Sequence, residues 1–322
     1  MNVLFVQTAH SCQDDRVWFH QRHSLIEVGD NVNICSTLKC QSLLQKWITI
    51  RRALSTFSPD IILADTPIAI LLCYRRRKIV WDITEFYPSK KDLHGSTIKQ
   101  TIQKIIKTRL ARWASSRCHA FIYGEESKFS LYKNLPQPRL HLPYYPCVDY
   151  VPYTPAKTPT DCCRILYVGP KTKDKGWSNV QAAVARCKEK MPNINWQLDT
   201  MYQVPFETFC EHLKDYDLFL DLRQIDDENT QCMPIKLFYY LAAGRPSVYS
   251  QLKAIKHTIP NIQTCITLVQ PDNHEQVTAA IIQYVKDSTL YMTHATQCRQ
   301  SFLTQYHWDL IASSFINFVH EL

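Results

Sequence analysis

The chain has 322 residues, room for about two domains of ~150 residues each, with 45% hydrophobic residues and a formal net charge of +8. No apolar run approaches the ~20 residues of a membrane-spanning helix and the chain starts directly on a strand, so an integral membrane protein is excluded and a cytoplasmic one expected. Thirteen cysteines scattered without repeated spacing or a C-x2-C pair argue for reduced thiols and against a disulfide framework or a zinc centre.

Charge is uneven: residues 1–150 hold 21 of the 37 Lys+Arg but only 12 of the 29 Asp+Glu. A basic half of this kind suits an anionic partner, either nucleic acid or an anionic membrane leaflet. In chain order, MNVLFV is an apolar strand, residues 16–28 form a helix stopped by Gly29, and residues 31–36 form the next strand. Together they make a βαβ unit. Asp14 and Asp15 suit the start of that helix. SPDIILADTP (58–67) holds another buried strand. KIVWDITEFYP (78–88) holds a further one, with Asp82 and Glu85 towards its carboxyl end. Polar groups gathered past an interior strand either serve a ligand or cap the next helix.

Residues 90–117 contain eight basic residues and one acid, interleaved at helical period with Ile98, Ile102, Ile105, Ile106, Leu110 and Trp113. The apolar stripe is expected to pack on the sheet, and the charges, with Arg75 to Lys78, to face an anionic bilayer. Residues 119–123 read as the last strand of this half, followed by a helix over 124–134. Five prolines at 143, 146, 152, 155 and 159 mark an interdomain linker.

The second half restarts with RILYVGPKTKDKGW (164–177), a strand, a glycine and a lysine-bearing loop before a helix. Backbone N–H groups and ammonium charge converge in such a loop on an anion. VPFETFCEHLKDYDLFLDL (204–222) reads as a helix and then a buried strand. The loop RQIDDENT after it holds Asp226, Asp227 and Glu228, either solvated or supplying a carboxylate to a site. QCMPIKLFYYLAAGRPSV (231–248) reads as a loop, a helix whose first turn carries Pro234 and Lys236, a glycine stop at Gly244 and a strand. Residues 264–269, a helix over 273–286 and the tail YHWDLIASSFINFVHEL complete the half, and the tail's Trp308, Ile311, Phe315 and Phe318 have a packing period.

P-x-K-L-F followed by Y-x-A-x-G-R-P is similar to the donor-binding corner of GT-B glycosyltransferases, in particular the retaining enzymes of family four. RILYVGPKTKDKGW resembles the family's V-G-R-x4-K-G element, HSCQDDRV its H-x-x-x-D-x-R-V variant of the first loop, Asp82 to Glu85 its D-x-H-E segment, and the tail its F-x-W-x-x-I-A helix. The chain departs from the family at Thr84 (histidine), Pro170 (arginine), Gln231 and Tyr239 (both glutamate).

The resemblance implies an α/β chain of two Rossmann-like domains facing across a cleft. These are an acceptor- and membrane-side domain at 1–145, a linker at 146–163, a nucleotide-sugar-binding domain at 164–304 and a helix at 305–322 crossing back to the first domain. It implies transfer of a sugar from a UDP- or GDP-linked donor to a saccharide or polyprenyl-linked acceptor in surface polysaccharide or glycolipid synthesis. Retention of configuration is expected, without metal or cofactor, by a cytoplasmic enzyme peripheral on the inner face of the plasma membrane. Donor-binding positions are Gly169, Lys171, Lys175, Gln231, Pro234, Lys236, Leu237 and Tyr239. Catalytic positions are Asp82, Glu85 and Lys175; His10, Asp15 and Arg16 fall on the acceptor side. The alternative is a GT-B-shaped protein that has lost turnover and acts as a binding partner of an active transferase. A nucleic-acid-binding role rests on charge alone, since no nucleic-acid motif is present, and none is expected as a partner.

Overall fold

Short apolar runs without alternation, such as Ile61–Ala64 and Ala120–Tyr123, become interior strands buried on both faces, the signature of a parallel sheet under helices. The computed structural model describes residues 1–9, 16–74, 78–85, 98–227 and 229–322. The chain divides into two units, Met1–Tyr144 with Ile311–Leu322, and Tyr145–Leu310.

In the first unit the described strands are β1 (Asn2–Gln7), β2 (Asn31–Ser36), β3 (Ile61–Ala64), β4 (Lys78–Ile83), β5 (Ala120–Tyr123) and β6 (Arg139–His141). They pair in parallel in the order β2-β1-β3-β4-β5-β6. Residues 16–28 are not one α-helix. A π-helical turn, Arg16–Gln21, leads into the short α1, Arg22–Glu27. Helix α2 (Leu43–Phe57) starts at Ser42, whose hydroxyl accepts from the Gln45 N–H at 3.2 Å. Thr66 caps α3 (Pro67–Cys73) in the same way, through the Ala69 N–H at 3.2 Å.

Helix α4 is Ile98–Ser115. Most of its expected apolar stripe does not pack on the sheet: Ile98, Ile102, Ile105 and Ile106 are 47 to 82% exposed, whereas Trp113, near its end, packs against the core. The buried positions are instead the small Ala111, Ala114 and Ser115, which at about 100° per residue lie opposite the isoleucines. The unit also has one strand more than expected, β6, and the helix over 124–134 contracts to α5, Glu126–Phe129, continuing as turns. The contraction lets Tyr132 join Trp81, Phe121 and Phe129 in an aromatic cluster.

The second unit holds β7 (Cys162–Val168), α6 (Trp177–Lys190), β8 (Asn195–Met201), α7 (Phe206–His212), β9 (Leu218–Asp221), α8 (Ile235–Ala243), β10 (Ser247–Ser250), α9 (Lys253–Thr258), β11 (Thr267–Val269), α10 (His274–Lys286) and α11 (Ser288–Gln305). Its strands are also all parallel, in the order β11-β10-β9-β7-β8. The proline-rich stretch before β7 carries a single 3-10 turn, Val148–Tyr150. Helix α12, Asp309–Glu321, enters the first unit at Ile311, and there His320 Nε2 lies 2.7 Å from Asp30 Oδ2.

Arg245, after the Gly244 stop of α8, ties the second unit together rather than facing a ligand. Its guanidinium donates to the carbonyls of Tyr216 (2.9 Å), Thr154 (2.9 Å) and Lys214 (3.1 Å) and to the Thr154 hydroxyl (3.1 Å). A lysine offers no planar fork for several carbonyls. Arg245→Lys is therefore expected to destabilise this unit by about 1–3 kcal/mol, the cost of buried polar groups left unpaired. Urea melts of both proteins measure the difference.

All described cysteines are free thiols. No helix among the described residues is long and apolar enough to cross a membrane.

Candidate functional site

In the second unit β7 lies between β8 and β9, so the chains leaving β7 and β9 part in opposite directions beyond the carboxyl ends of the strands. Such a switch point is where open parallel sheets hold ligands. Three pieces of chain meet there: the loop after β7, the exit of β9 and the first turn of α8.

The loop after β7 is a compact turn. The Thr172 N–H donates to the Pro170 carbonyl (2.8 Å), the Gly176 N–H to that of Lys173 (3.0 Å), and the Tyr167 hydroxyl lies 2.9 Å from the Pro170 carbonyl and 3.1 Å from that of Lys175. Gly176 has φ +80°, and a Cβ there would fall 1.9 Å from the Leu222 carbonyl oxygen, so only glycine lets the loop lie against the β9 exit. The Gln224 N–H then donates to the Asp174 carbonyl at 3.2 Å, and the two loops are joined.

At the centre is Asp221, the last residue of β9, 1% exposed. Arg223 binds it with two hydrogen bonds, Nε to Oδ1 at 2.9 Å and Nη2 to Oδ2 at 2.6 Å. Lys236 Nζ lies 2.9 Å from the same Oδ2 and also donates to the Val168 carbonyl, and the Tyr249 hydroxyl donates to Oδ2 at 2.5 Å. Burial alone would raise the Asp221 pKa, but the Arg223 and Lys236 charges outweigh it and hold the carboxyl well below its ordinary range. Lys236 is shifted down, first by burial and then by Arg223, against the pull of Asp221. Two cations against one carboxylate leave one positive charge in surplus, beside Gly169, where a Cβ would approach the Lys236 Nζ to 3.6 Å.

The positions expected from sequence are placed as follows. Lys175 lies 3.4 Å from Asn229 Oδ1, and Asp226 in turn holds Asn229 through its backbone N–H (2.7 Å) and side-chain amide (2.9 Å). Asp226 thus braces a turn, Asp227 is exposed, and Glu228 lies outside the described residues. Lys171 is exposed, with Nζ 5.1 Å from the Trp177 ring centroid. Gln231 is exposed at the end of a 3-10 turn. Pro234 caps α8 rather than entering its first turn, and its carbonyl accepts from the Leu237 N–H at 3.0 Å. Leu237 is fully buried, and Tyr239, 2% exposed, sits edge-on to Phe206 and Phe209 with centroids 5.8 and 5.4 Å away.

In the first unit, Asp82 is buried in β4 and accepts from the Gln21 side-chain amide at 3.2 Å. Glu85 is exposed, and the Thr84 carbonyl between them takes Lys128 Nζ (2.7 Å) and the Tyr144 hydroxyl (3.1 Å). Arg16 opens the π-helical turn. His10 and Asp15 lie outside the described residues, as do Arg75 to Arg77 and residues 86–97.

Sequence reading missed Asp221, Arg223 and Tyr249. It also missed Asp65, which joins the ends of β1 and β3 by accepting from the Thr8 and Ala9 N–H groups at 2.8 and 3.0 Å. The available signal was an Asp ending an otherwise apolar strand, two residues before an Arg. Among the described residues, no group of three or more His, Cys, Asp or Glu side chains is arranged to hold a metal ion.

No family model matches the sequence, and no curated protein matches it. Solved structures match over its whole length. Sucrose-phosphate synthase from Thermosynechococcus elongatus superposes with a TM-score of 0.75 at 11% identity, over 100% of this chain and 98% of that one. Anabaena HepE, solved in complex with UDP-glucose, gives 0.69 at 11% identity over 100% of both chains. A glycosyltransferase from Rickettsia africae gives 0.66 at 13% identity over 99% of this chain and 98% of that one. The fold is therefore that of the two-domain GT-B glycosyltransferases, with a Rossmann-like sheet in each unit.

Proposed function

We propose that this chain is a glycosyltransferase that moves a sugar from a UDP- or GDP-linked donor to a saccharide or lipid-linked acceptor, with retention, in surface polysaccharide or glycolipid synthesis at the cytoplasmic membrane face. The observation that carries the reading is the surplus positive charge of Arg223 and Lys236 over Asp221, at the switch point of a parallel sheet and next to the glycine loop that bears Lys175. The likeness in fold to HepE, whose structure holds UDP-glucose, supports a nucleotide sugar as the anion. Arg223 takes the phosphate-recognition part that the resemblance puts at position 170, where this chain has proline. A guanidinium suits that part because its donors can pair with two phosphate oxygens at once.

In the transfer, the bond from the anomeric carbon to the diphosphate oxygen breaks and that oxygen keeps the electron pair. The acceptor oxygen bonds to the same face of the carbon, and its proton passes to the departing phosphate. Negative charge grows on the diphosphate as the bond breaks, so fixed cations at Lys175, Arg223 and Lys236 stabilise the transition state more than the bound donor. Asp82 and Glu85 keep the catalytic part that the resemblance implies for them. No metal or cofactor is invoked.

The second reading, a binding partner without turnover, is favoured by one observation: Gln231 and Tyr239 place no carboxylate at the corner, and the Tyr239 ring is interior.

Release of UDP or GDP from nucleotide sugars, measured with and without a membrane extract, tests both. Release is expected, and it is expected to vanish in the Lys175→Ala/Lys236→Ala variant. Arg223→Lys, which keeps the charge and loses the fork, is expected to weaken UDP binding by about 10- to 100-fold in calorimetric titration, the worth of one charged hydrogen-bonding group. Binding without release favours the partner reading, and the absence of both release and binding sinks the transferase reading and leaves the partner one.

A further inference from the structure

Helices in a parallel sheet run back against the strands, so their N-terminal halves lie at the carboxyl ends of the strands. In the first unit α2, α3 and α4 pack in sequence, α2 on α3 and α3 on α4, and form one layer. The N-terminal halves of the two outer helices carry uncovered apolar side chains. On α2, Leu43, Leu44, Trp47 and Ile48 are 41 to 65% exposed, while Ile50 and Leu54 further along the same helix are buried. On α4, the outward isoleucines at 98, 102, 105 and 106 continue the pattern. Monomeric proteins rarely gather this many large apolar groups on one face without a use for them.

The charge around these groups has one sign. Helices α2, α3 and α4 contain Lys46, Arg51, Arg52, Lys99, Lys104, Lys107, Arg109 and Arg112 and no acidic residue. The Arg51 guanidinium lies 5.3 Å from the Trp47 ring centroid, so cation and indole are offered together. Aliphatic side chains outermost, a tryptophan among them and cations around them match the interface of an anionic bilayer: acyl-chain boundary, headgroup level and lipid phosphate. A nucleic acid would use the cations and leave the leucines and isoleucines in water.

We propose that the N-terminal halves of α2 and α4 form a docking surface for an anionic lipid bilayer, into which Leu43, Leu44, Trp47, Ile48 and the α4 isoleucines insert. This gives the membrane reading above a particular surface, to which α2 contributes half. It does not depend on the donor site, and the two are tested apart.

The test is flotation of the full chain with phosphatidylcholine vesicles made with and without phosphatidylglycerol. Binding is expected only to the anionic vesicles, to weaken as salt is raised, and to shift Trp47 emission to the blue. Leu44→Ser/Trp47→Ser/Ile48→Ser is expected to lower vesicle affinity by at least about tenfold, as is Ile102→Ser/Ile105→Ser, from the apolar area withdrawn from the bilayer. Lys99→Gln/Lys104→Gln/Arg109→Gln is expected to remove the preference for anionic lipid. Helical content by circular dichroism and the UDP-induced thermal shift of each variant separate misfolding and donor-site failure from loss of docking. No flotation of the wild-type chain, or equal flotation of folded α2 variants, would overturn the proposal. So would a mass in sedimentation that doubles and returns to monomer in the α2 variant, which assigns the face to a second copy.

Discussion

Asp221→Ala is expected to destabilise the second unit by about 3–5 kcal/mol, the cost of breaking a buried ion pair from one side. The carboxylate, 1% exposed, accepts from Arg223, Lys236 and Tyr249. Without it, Arg223 and Lys236 lose their shared counter-ion and a buried hydroxyl loses its acceptor. Native-state hydrogen exchange at the β7 and β9 amides measures the loss where it occurs. Asp221→Ala/Arg223→Met removes both members of the strongest pair and is expected to recover part of the stability, because the uncompensated charge is then gone.

The pH dependence follows from the same carboxyl. Its folded pKa is depressed, so the stabilisation is complete above the unfolded value of ~4 and is lost as pH falls through the folded value. Between pH 5 and 8 this group contributes no slope, and the acid limb of the stability curve is expected to be shallower in the variant. Unchanged exchange at β7 and β9 in Asp221→Ala would show that the cluster does not hold the unit together.

The architecture was legible because its signals are local. Apolar runs at 2–6, 61–64, 79–83 and 120–123 mark interior strands, and the glycine stop and the repeated strand–loop–helix order follow without tertiary information. The loop at Gly169 to Gly176 and the corner at Pro234 to Lys236 were legible too, since glycine and a lysine in a first turn have chemical meaning by themselves. The Asp221 cluster was not.

Asp221 reads from sequence as the tail of a strand and Arg223 as the head of a loop, and only the return of the first turn of α8 onto the ends of β9 and β7 brings them beside Lys236. The fate of the isoleucines on α4 was hidden for a similar reason. A helical period says that residues share a face, whereas what covers the face depends on where the sheet ends. Here Ala111 and Ala114 occupy the side that packs. Tyr239 illustrates the converse: its position in a motif suggests a ligand, and its contacts with Phe206 and Phe209 give it a packing role.

Gly176→Ala is expected to have an effect as large as the loss of Asp221, and Gly29→Ala supplies its control. Both glycines have similar left-handed backbones, φ +80° and +88°. At Gly29 an added Cβ meets nothing within 4 Å. That substitution therefore bears only the intrinsic strain of the left-handed conformation, about 1–2 kcal/mol. At Gly176 the Cβ would sit 1.9 Å from the Leu222 carbonyl oxygen, 2.2 Å from its carbon and 2.7 Å from the Arg223 nitrogen. These are backbone atoms at the exit of a buried strand, with no side chain to swing aside, so the loop after β7 must lift off the loop after β9. The expected loss exceeds about 4 kcal/mol, in the range that marks a named structural mechanism. It is also expected to abolish UDP binding, because Lys175 leaves with the loop while Arg223 and Lys236 stay. Thermal melts of the two variants, with and without UDP, separate strain from collision. Equal losses at Gly29 and Gly176 would mean that the contact with Leu222 is not a fixed part of the site.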